Sequence, residues 1–486
     1  MLTYIGELYS HAIYKGEVSM RVRELFQMGK EYLVLGIVLV FLAFVIAVLF
    51  RKFIWKKQEK ISWKKWIGNG ILLCYLVVVL GVTLLDRGTF FGTGKIQPLF
   101  YSYRDAWVNF SETAWRNIIL NICMFVPLGI LLPCCVKKFR KWWKVYLSGF
   151  LFTLFIEGIQ LVTERGIFEL DDLLGNTAGA MIGYGIFAVL SFLYHKKKKS
   201  RIIGWKEVVL LQLPLLVVVF GFTSVFTIYH RQELGNLSGQ CLIPYDTNNL
   251  EVTSKVELSG ERKEETVYRS KTLTKKEVIQ LADDIFSTLG TSVDEEQNNF
   301  YENTAVLKAG ERFSLWMDYQ GGTYQLTDFE TSFSEEQLNV KKDASEEELR
   351  KAFAAYGTQI SEKSVFSWDE GTEEYCFTVD QKFDDTQWEK GEIRGKYYEN
   401  GCFSEVQNMV VTYELYKDFP IISEEEAYKK LEEGEFRYWG EEKLNMEVLD
   451  CNLEYQMDSK GFYQPVYLFN VLVNENEEQI VIAAIE

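Results

Sequence analysis

FIEGIQLVTERGIFELDDLLGNTAGAMIGYG, residues 155–185, joins the end of one apolar run to the start of another through a short acidic turn. Glu157 and Gln160 lie in the first run, three residues apart and so on one helix face. Arg165, Asp171 and Asp172 fall in the turn. Asn176, Gly179 and Gly183 fall in the second run, and with Asp172 they share a face at helical spacing. Charged and amide side chains inside an apolar span are costly, so they turn toward a bundle interior or a wet cavity. The stretch therefore predicts a carboxylate-rich polar seam between two antiparallel membrane helices.

Working outward, six apolar runs are long enough to cross a bilayer: 32–50, 66–85, 117–136, 145–162, 176–194 and 208–229. The first 31 residues show no short apolar core followed by a small-residue cleavage site, so no removable signal peptide is expected. The loops at 51–65, 137–144 and 195–207 are heavily basic, whereas 86–116 and 163–172 are not; 86–116 reads as a loop too polar to insert. The positive-inside rule then puts the basic loops in the cytoplasm and both the amino terminus and residues 230–486 outside. On that topology Glu157, Asp172, Asn176 and Asn121 all lie near the outer membrane face.

Charge divides the chain as sharply as hydropathy does. Residues 1–229 carry 27 Lys+Arg against 14 Asp+Glu, and residues 230–486 carry 25 against 54. An acidic second half is a poor binder of nucleic acid, and none is expected as a partner.

The polar groups of the seam admit two readings. Buried amides and ion pairs can simply hold helices together. Alternatively Asn121, Glu157, Gln160, Arg165, Asp171, Asp172 and Asn176 form one binding site, since an intramembrane carboxylate marks a functional site by default. Glu157 and Asp172 are the candidate catalytic groups: a desolvated Glu157 could serve as general acid or base, and Arg165 could hold a phosphate or carboxylate. The three histidines, His11, His195 and His230, are all outside the seam, and no serine or cysteine there has a base partner. Neither a metal site nor a cofactor is expected. Gly175, Gly179 and Gly183 form overlapping Gly-x-x-x-Gly pairs that let helix backbones approach. Pro127 and Pro133 predict a kink in the third span, and Cys123, Cys134 and Cys135 read as packing residues.

NIILNICMFVPLG at 117–129, Glu157 and Gln160, and RGIFELDDLLGNTAGAMIG at 165–183 together resemble the VanZ-like family of membrane proteins. QPLFYSY at 97–103 looks like that family's short loop after its first helix. The resemblance covers about residues 66–195, and the positions matching the family's pattern are Asn121, Pro127, Gly129, Glu157, Gln160, Arg165, Asp172, Asn176 and Gly179. The family is named for low-level resistance to teicoplanin, a glycopeptide acting at the outer face of the envelope. The resemblance thus implies a place and a context rather than a reaction. A first span, a sixth span and the large acidic tail are additions to the minimal pattern.

The tail reads as α+β. Helices are predicted at 273–290, 345–357 and 422–436, with Thr274/Glu277, Ser345/Glu348 and Ser423/Glu426 as capping pairs. Alternating strand-like runs follow each, and the last 38 residues or so read as a three-strand meander. The expected organisation is residues 1–65 as an external segment, first span and cytoplasmic loop; 66–195 as the four-helix VanZ-like part; 196–229 as a basic loop and sixth span; and 230–486 as an extracytoplasmic domain of two or three helix-plus-sheet units. The ISEEEA helix, the YQPVYLF strand and VIAAI weakly resemble the external domains of YycH/YycI-type regulators, which implies contact with another envelope protein. Cys241, Cys376, Cys402 and Cys451 permit up to two disulfides, and their spacing does not choose a pairing.

Two functions remain at this level. One is a membrane protein that engages an envelope lipid or glycopeptide at an outward-facing pocket, with the tail as sensor or adaptor. The other is an enzyme acting on an envelope lipid headgroup through Glu157, Arg165 and Asp172.

Overall fold

The computed structural model describes residues 22–50, 63–85, 96–164, 166–197, 204–238, 240–241, 243–334, 338–383, 386–438, 443–474 and 476–485. Arg165, most of the basic loop 51–65, residues 198–203 of the basic loop 195–207, and the start of the loop 86–116 lie outside these residues. The chain forms two compact units, residues 1–232 and 233–486.

The first unit is helical. Its long elements are α1 (Val22–Phe50), α2 (Trp63–Leu80), α4 (Glu112–Cys135), α5 (Trp142–Thr163), α6 (Leu170–Lys197) and the pair α7 (Trp205–Leu210) and α8 (Leu213–Arg231). Five stretches, beginning at Trp66, Glu112, Trp142, Leu170 and Trp205, are long and apolar enough to cross a membrane, and α1 adds the shorter apolar stretch Tyr32–Ile46. Apolar side chains such as Val162, Phe220 and Phe41 are largely exposed, as spans facing lipid require.

Three local features depart from the sequence expectation. The predicted loop 86–116 contains a two-residue strand, β1 (Ile96–Gln97), and a helix, α3 (Tyr101–Asn109). β1 pairs in parallel with β2 (Phe168–Glu169), Ile96 opposite Phe168. Asp171 and Asp172 belong to the first turn of α6 rather than to the turn before it. The sixth span is broken at Leu211–Gln212: Pro214, at the start of α8, supplies no backbone donor. Gln212 Nε2 instead reaches the Gly185 and Val208 carbonyls at 3.1 and 3.0 Å. Pro127 and Pro133 are both accommodated within α4.

Small residues set the helix spacing. A Cβ on Gly179 would run into the Ile122 carbonyl, one on Gly183 into the Val126 carbonyl, and one on Gly129 into the Ala180 carbonyl. The backbones of α4 and α6 are therefore in direct contact, the close approach for which small-residue repeats are suited. α8 is held by an aromatic contact, Phe110 stacked on Tyr229 with ring centroids 3.2 Å apart.

The second unit is built on one 14-stranded sheet. β3 (Leu250–Ser254), β4 (Lys263–Ser270), α9 (Lys275–Thr288) and β5 (Asn299–Phe300) come first. They are followed by β6 (Thr304–Ala309), β7 (Phe313–Asp318), β8 (Tyr324–Asp328), the single turn α10 (Phe329–Ser332) and α11 (Glu346–Ala355). The chain continues through β9 (Val365–Asp369), β10 (Glu374–Phe383), β11 (Gln387–Tyr397), β12 (Phe403–Asn408) and β13 (Val411–Ile421). It ends with α12 (Glu424–Glu432), β14 (Leu444–Met457), β15 (Phe462–Val473) and β16 (Asn476–Ala483). The three principal helices fall within the predicted windows, and β14–β15–β16 is the antiparallel meander. Reciprocal capping boxes start α9 at Thr274/Glu277 and α12 at Ser423/Glu426, while Ser345 caps α11 through the Glu348 N–H.

Two main cores hold this unit. α9 and α11 bury Phe286, Phe353, Phe377 and Phe403 in the first; α12 buries Leu431 against Tyr467 and Phe469 in the second. A separate aromatic cluster, Tyr268, Trp388, Tyr413 and Tyr463, packs on β4, β11, β13 and β15. Among the described residues no disulfide is formed; Cys376 is buried on β10, and Cys402 lies in the turn before β12.

Candidate functional site

The polar seam is assembled where α5 ends and α6 begins. Thr153, Glu157 and Gln160 project from one face of α5, at 0, 1 and 1% exposure. Glu164, in the left-handed conformation at φ 56°, closes α5. The chain then turns back through β2, so that the Glu169 N–H donates to Glu157 Oε2 at 3.1 Å. The carboxylate predicted to be unusual is thus seated on the backbone of the turn twelve residues later.

Asp171 does something the sequence did not reveal. Its two carboxylate oxygens accept from the Phe100 and Ser102 N–H groups at 2.5 and 2.8 Å. Phe100 precedes α3 in the left-handed conformation and offers that helix no side-chain cap, so Asp171 caps α3 from another element. Ser102 Oγ donates to Glu169 Oε2 at 3.1 Å, tying the same segment to β2. The Tyr103 phenol is pushed up to about 12, first by burial and then by the charges of Asp171 and Asp172.

The remaining predicted residues cross-link helices. Asn121 on α4 donates to Asp172 Oδ1 at 2.6 Å. Asn176 on α6 donates to Thr153 Oγ1 on α5 at 2.9 Å. Gln160 Nε2 donates to the Thr83 carbonyl at 2.9 Å. That carbonyl lies in a π-helical turn, Gly81–Leu85, which ends α2; such turns divert carbonyls from the regular helical ladder. Asn117, four residues before Asn121, is exposed and outside the cluster.

Satisfaction is incomplete. Gln160 Oε1, Asn176 Oδ1 and Thr177 Oγ1 are buried without a hydrogen-bond partner. Away from water an orphaned acceptor costs roughly 1–3 kcal/mol. The seam is therefore a buried, acceptor-rich cluster, with two orphaned amide oxygens beside the Glu157 carboxylate on the α5–α6 face. Chemically it suits a donor: a proton, an ammonium, an amide or a hydroxyl. Among the described residues no group of three or more His, Cys, Asp or Glu side chains is placed to hold a metal.

Asn121, Glu157, Gln160, Asp171, Asp172 and Asn176 thus all lie in this region. Thr83, Thr153, Glu169 and the 100–102 backbone join them without having been predicted. Thr153 had a legible signal, one turn before Glu157 on the same face; Thr83 and the 100–102 N–H groups had none.

Comparison with known proteins bears on this unit directly. The VanZ/LLP1 family model matches residues 39–191. The membrane half carries a VanZ-like domain. The match begins inside α1, upstream of residue 66. The chain is similar to protein VanZ of Enterococcus faecium, 28% identical over 160 residues, covering 31% of this chain and 92% of that protein. With its helices this makes the protein a multi-pass membrane protein whose residues 39–191 are similar to VanZ. A solved structure, the Bacillus megaterium YpeB C-terminal domain, aligns at 12% identity over 44% of this chain and 94% of that one, with a TM-score of 0.21. A likeness that slight leaves the role of the tail to its own residues.

Proposed function

We propose that the VanZ-like domain engages an envelope lipid or a teicoplanin-type glycopeptide at the outer membrane face through the Glu157 seam, and that residues 233–486 form an external sensor or adaptor. The observation carrying this reading is the acceptor set itself: Glu157 at 1% exposure next to the orphaned oxygens of Gln160 and Asn176. Lipid headgroups and glycopeptides are rich in amide, ammonium and hydroxyl donors, and a buried acceptor without a donor gains most from receiving one. The basic loops 51–65, 137–144 and 195–207 support a topology with those loops cytoplasmic, and the amino terminus and tail outside. The acidic tail, with its scattered surface carboxylates, suits contact with another envelope protein.

The test is Glu157→Gln in the full chain, at matched membrane levels. Glycopeptide protection should be lost while the protein stays inserted. Equal protection by variant and parent would reduce the seam to helix packing. Release of a cleaved or transferred lipid headgroup by the parent, absent in the variant, would replace the binding reading by the enzymatic one. Labelling of engineered cysteines from outside should reach 96–110 and 243–485 and miss 137–144; labelling at 137–144 would invert the topology.

A further inference from the structure

At the other end of α5 and α6 lies a cavity of about 270 Å³, lined among others by Arg140, Lys141, Trp142, Tyr184, Ser191 and Glu207. Tyr184 and Ser191 belong to α6, two turns apart, and Ser191 lies six residues before the end of that helix at Lys197. The Tyr184 hydroxyl donates to the Arg140 carbonyl at 2.6 Å, which fixes the connection between α4 and α5 as one wall. Lys141 occupies the N-cap position of α5 without a side-chain cap, so the positive end of a 22-residue helix opens on the same space.

The charged side chains around this cavity are unspent. Arg140, Lys141 and Glu207 are all exposed, and none makes an ion pair with a described residue. Two cations and a helix N-terminus thus stand on one side, and one carboxylate stands on the start of α7. Trp142 and Trp143, 48 and 47% exposed, stand at the rim as interfacial anchors do. The Trp143 ring already faces the Lys144 ammonium at 5.4 Å, which leaves it poorly placed to receive a quaternary ammonium.

We infer that this cavity is a headgroup site for a zwitterionic phospholipid bearing a primary ammonium, of the phosphoethanolamine type. Arg140 and Lys141 take the phosphate, and Glu207 takes the ammonium. A purely anionic headgroup satisfies the cations but leaves Glu207 opposed to its charge. A choline headgroup offers no N–H to Glu207. The site is independent of the Glu157 seam, because it uses the opposite end of both helices.

Native mass spectrometry of the full-length protein, exchanged into detergent micelles with equimolar palmitoyl-oleoyl phosphatidylethanolamine, phosphatidylglycerol and phosphatidylcholine, tests this. The ethanolamine lipid should be retained in preference to the other two by roughly fivefold, the scale of one exposed ion pair. Glu207→Gln should abolish the preference over phosphatidylglycerol, and Arg140→Gln, with Lys141→Gln as the second variant, should lower retention of both. Equal retention of the three lipids by the parent, or an unchanged preference in Glu207→Gln, would overturn the proposal. Retention of soluble glycerophosphoethanolamine in preference to the lipid would also overturn it, by assigning the cavity to a soluble phosphate ester. Elution of each variant at the parent's position on size exclusion separates lost binding from lost fold.

Discussion

In the membrane half, Glu157 is 1% exposed and Asp171 6%; Glu157 accepts from the backbone of the turn twelve residues on, and Asp171 from N–H groups about 70 residues upstream. In the tail, Glu277 and Glu426 are partly open to water, and each closes its own helix cap and pairs with one cation, Lys271 or Arg262. The difference follows from solvent. Without water a carboxylate must find its donors in the protein, so its position ties elements together. Beside water a carboxylate already has donors, so its pairing contributes little. Glu157 and Asp171 therefore report tertiary structure, as does the buried Asp458 of the tail, which accepts from the Gly235 N–H, whereas Glu277 and Glu426 report the start of a helix.

Breaking the first unit should be the more damaging. Gly179→Leu, which forces side-chain atoms into the Ile122 carbonyl, should cost about 3 kcal/mol, the upper end for overpacking. Fluorescence-detected size exclusion after heating should show a larger loss of folded protein than any single substitution in the tail produces. Retention of parental stability would mean that α4 and α6 are not in backbone contact.

Asp171→Ala comes next. It leaves the Phe100 and Ser102 N–H groups without their acceptor, at a cost of about 2 kcal/mol. Proteolysis should then cut within 96–110 in the variant and not in the parent. Equal protection would make Asp171 an ordinary surface carboxylate, like those of the tail.

Changes to the tail should be milder. Thr274→Ala removes the side-chain half of the α9 capping box and should cost about 1 kcal/mol, measured by urea denaturation. The effect should be confined to the second unit, with the helical unit's thermal transition unmoved.

The smallest effect is one of pH. Glu426 is held down to about 2, first by its hydrogen bonds to Arg262 and then by the Ser423 N–H. A depressed carboxylate contributes stability above its unfolded value, and that contribution disappears as pH falls through the folded value. The stability difference between parent and Glu426→Gln should therefore be constant above about pH 4.5 and shrink to nothing as pH falls toward 2. A difference independent of pH across that window would mean that the charge of Glu426 contributes nothing.

Much of the fold was legible because its signals are local. Six apolar runs, the charge change near residue 230, and three Ser or Thr caps each followed by Glu three positions later are properties of short segments. They determined the membrane helices, the α+β tail and the starts of α9, α11 and α12. The helical spacing of Glu157 with Gln160, and of Asp172 with Asn176, Gly179 and Gly183, likewise determined which faces of α5 and α6 carry polar or small residues. What only the tertiary structure decided is which distant partner each face meets. The carbonyl that receives Gln160 is Thr83 O, 77 residues away, freed by a π-helical turn that no residue type announces. The groups that Asp171 caps lie about 70 residues upstream, in a stretch whose polarity reads as a loop. In the tail, β4 is placed between β15 and β13, a pairing across some 150–190 residues that no local alternation specifies. Helix periods and caps are set by neighbours along the chain, whereas backbone donors and acceptors look alike in every residue, so their pairing is fixed only when the chain has packed.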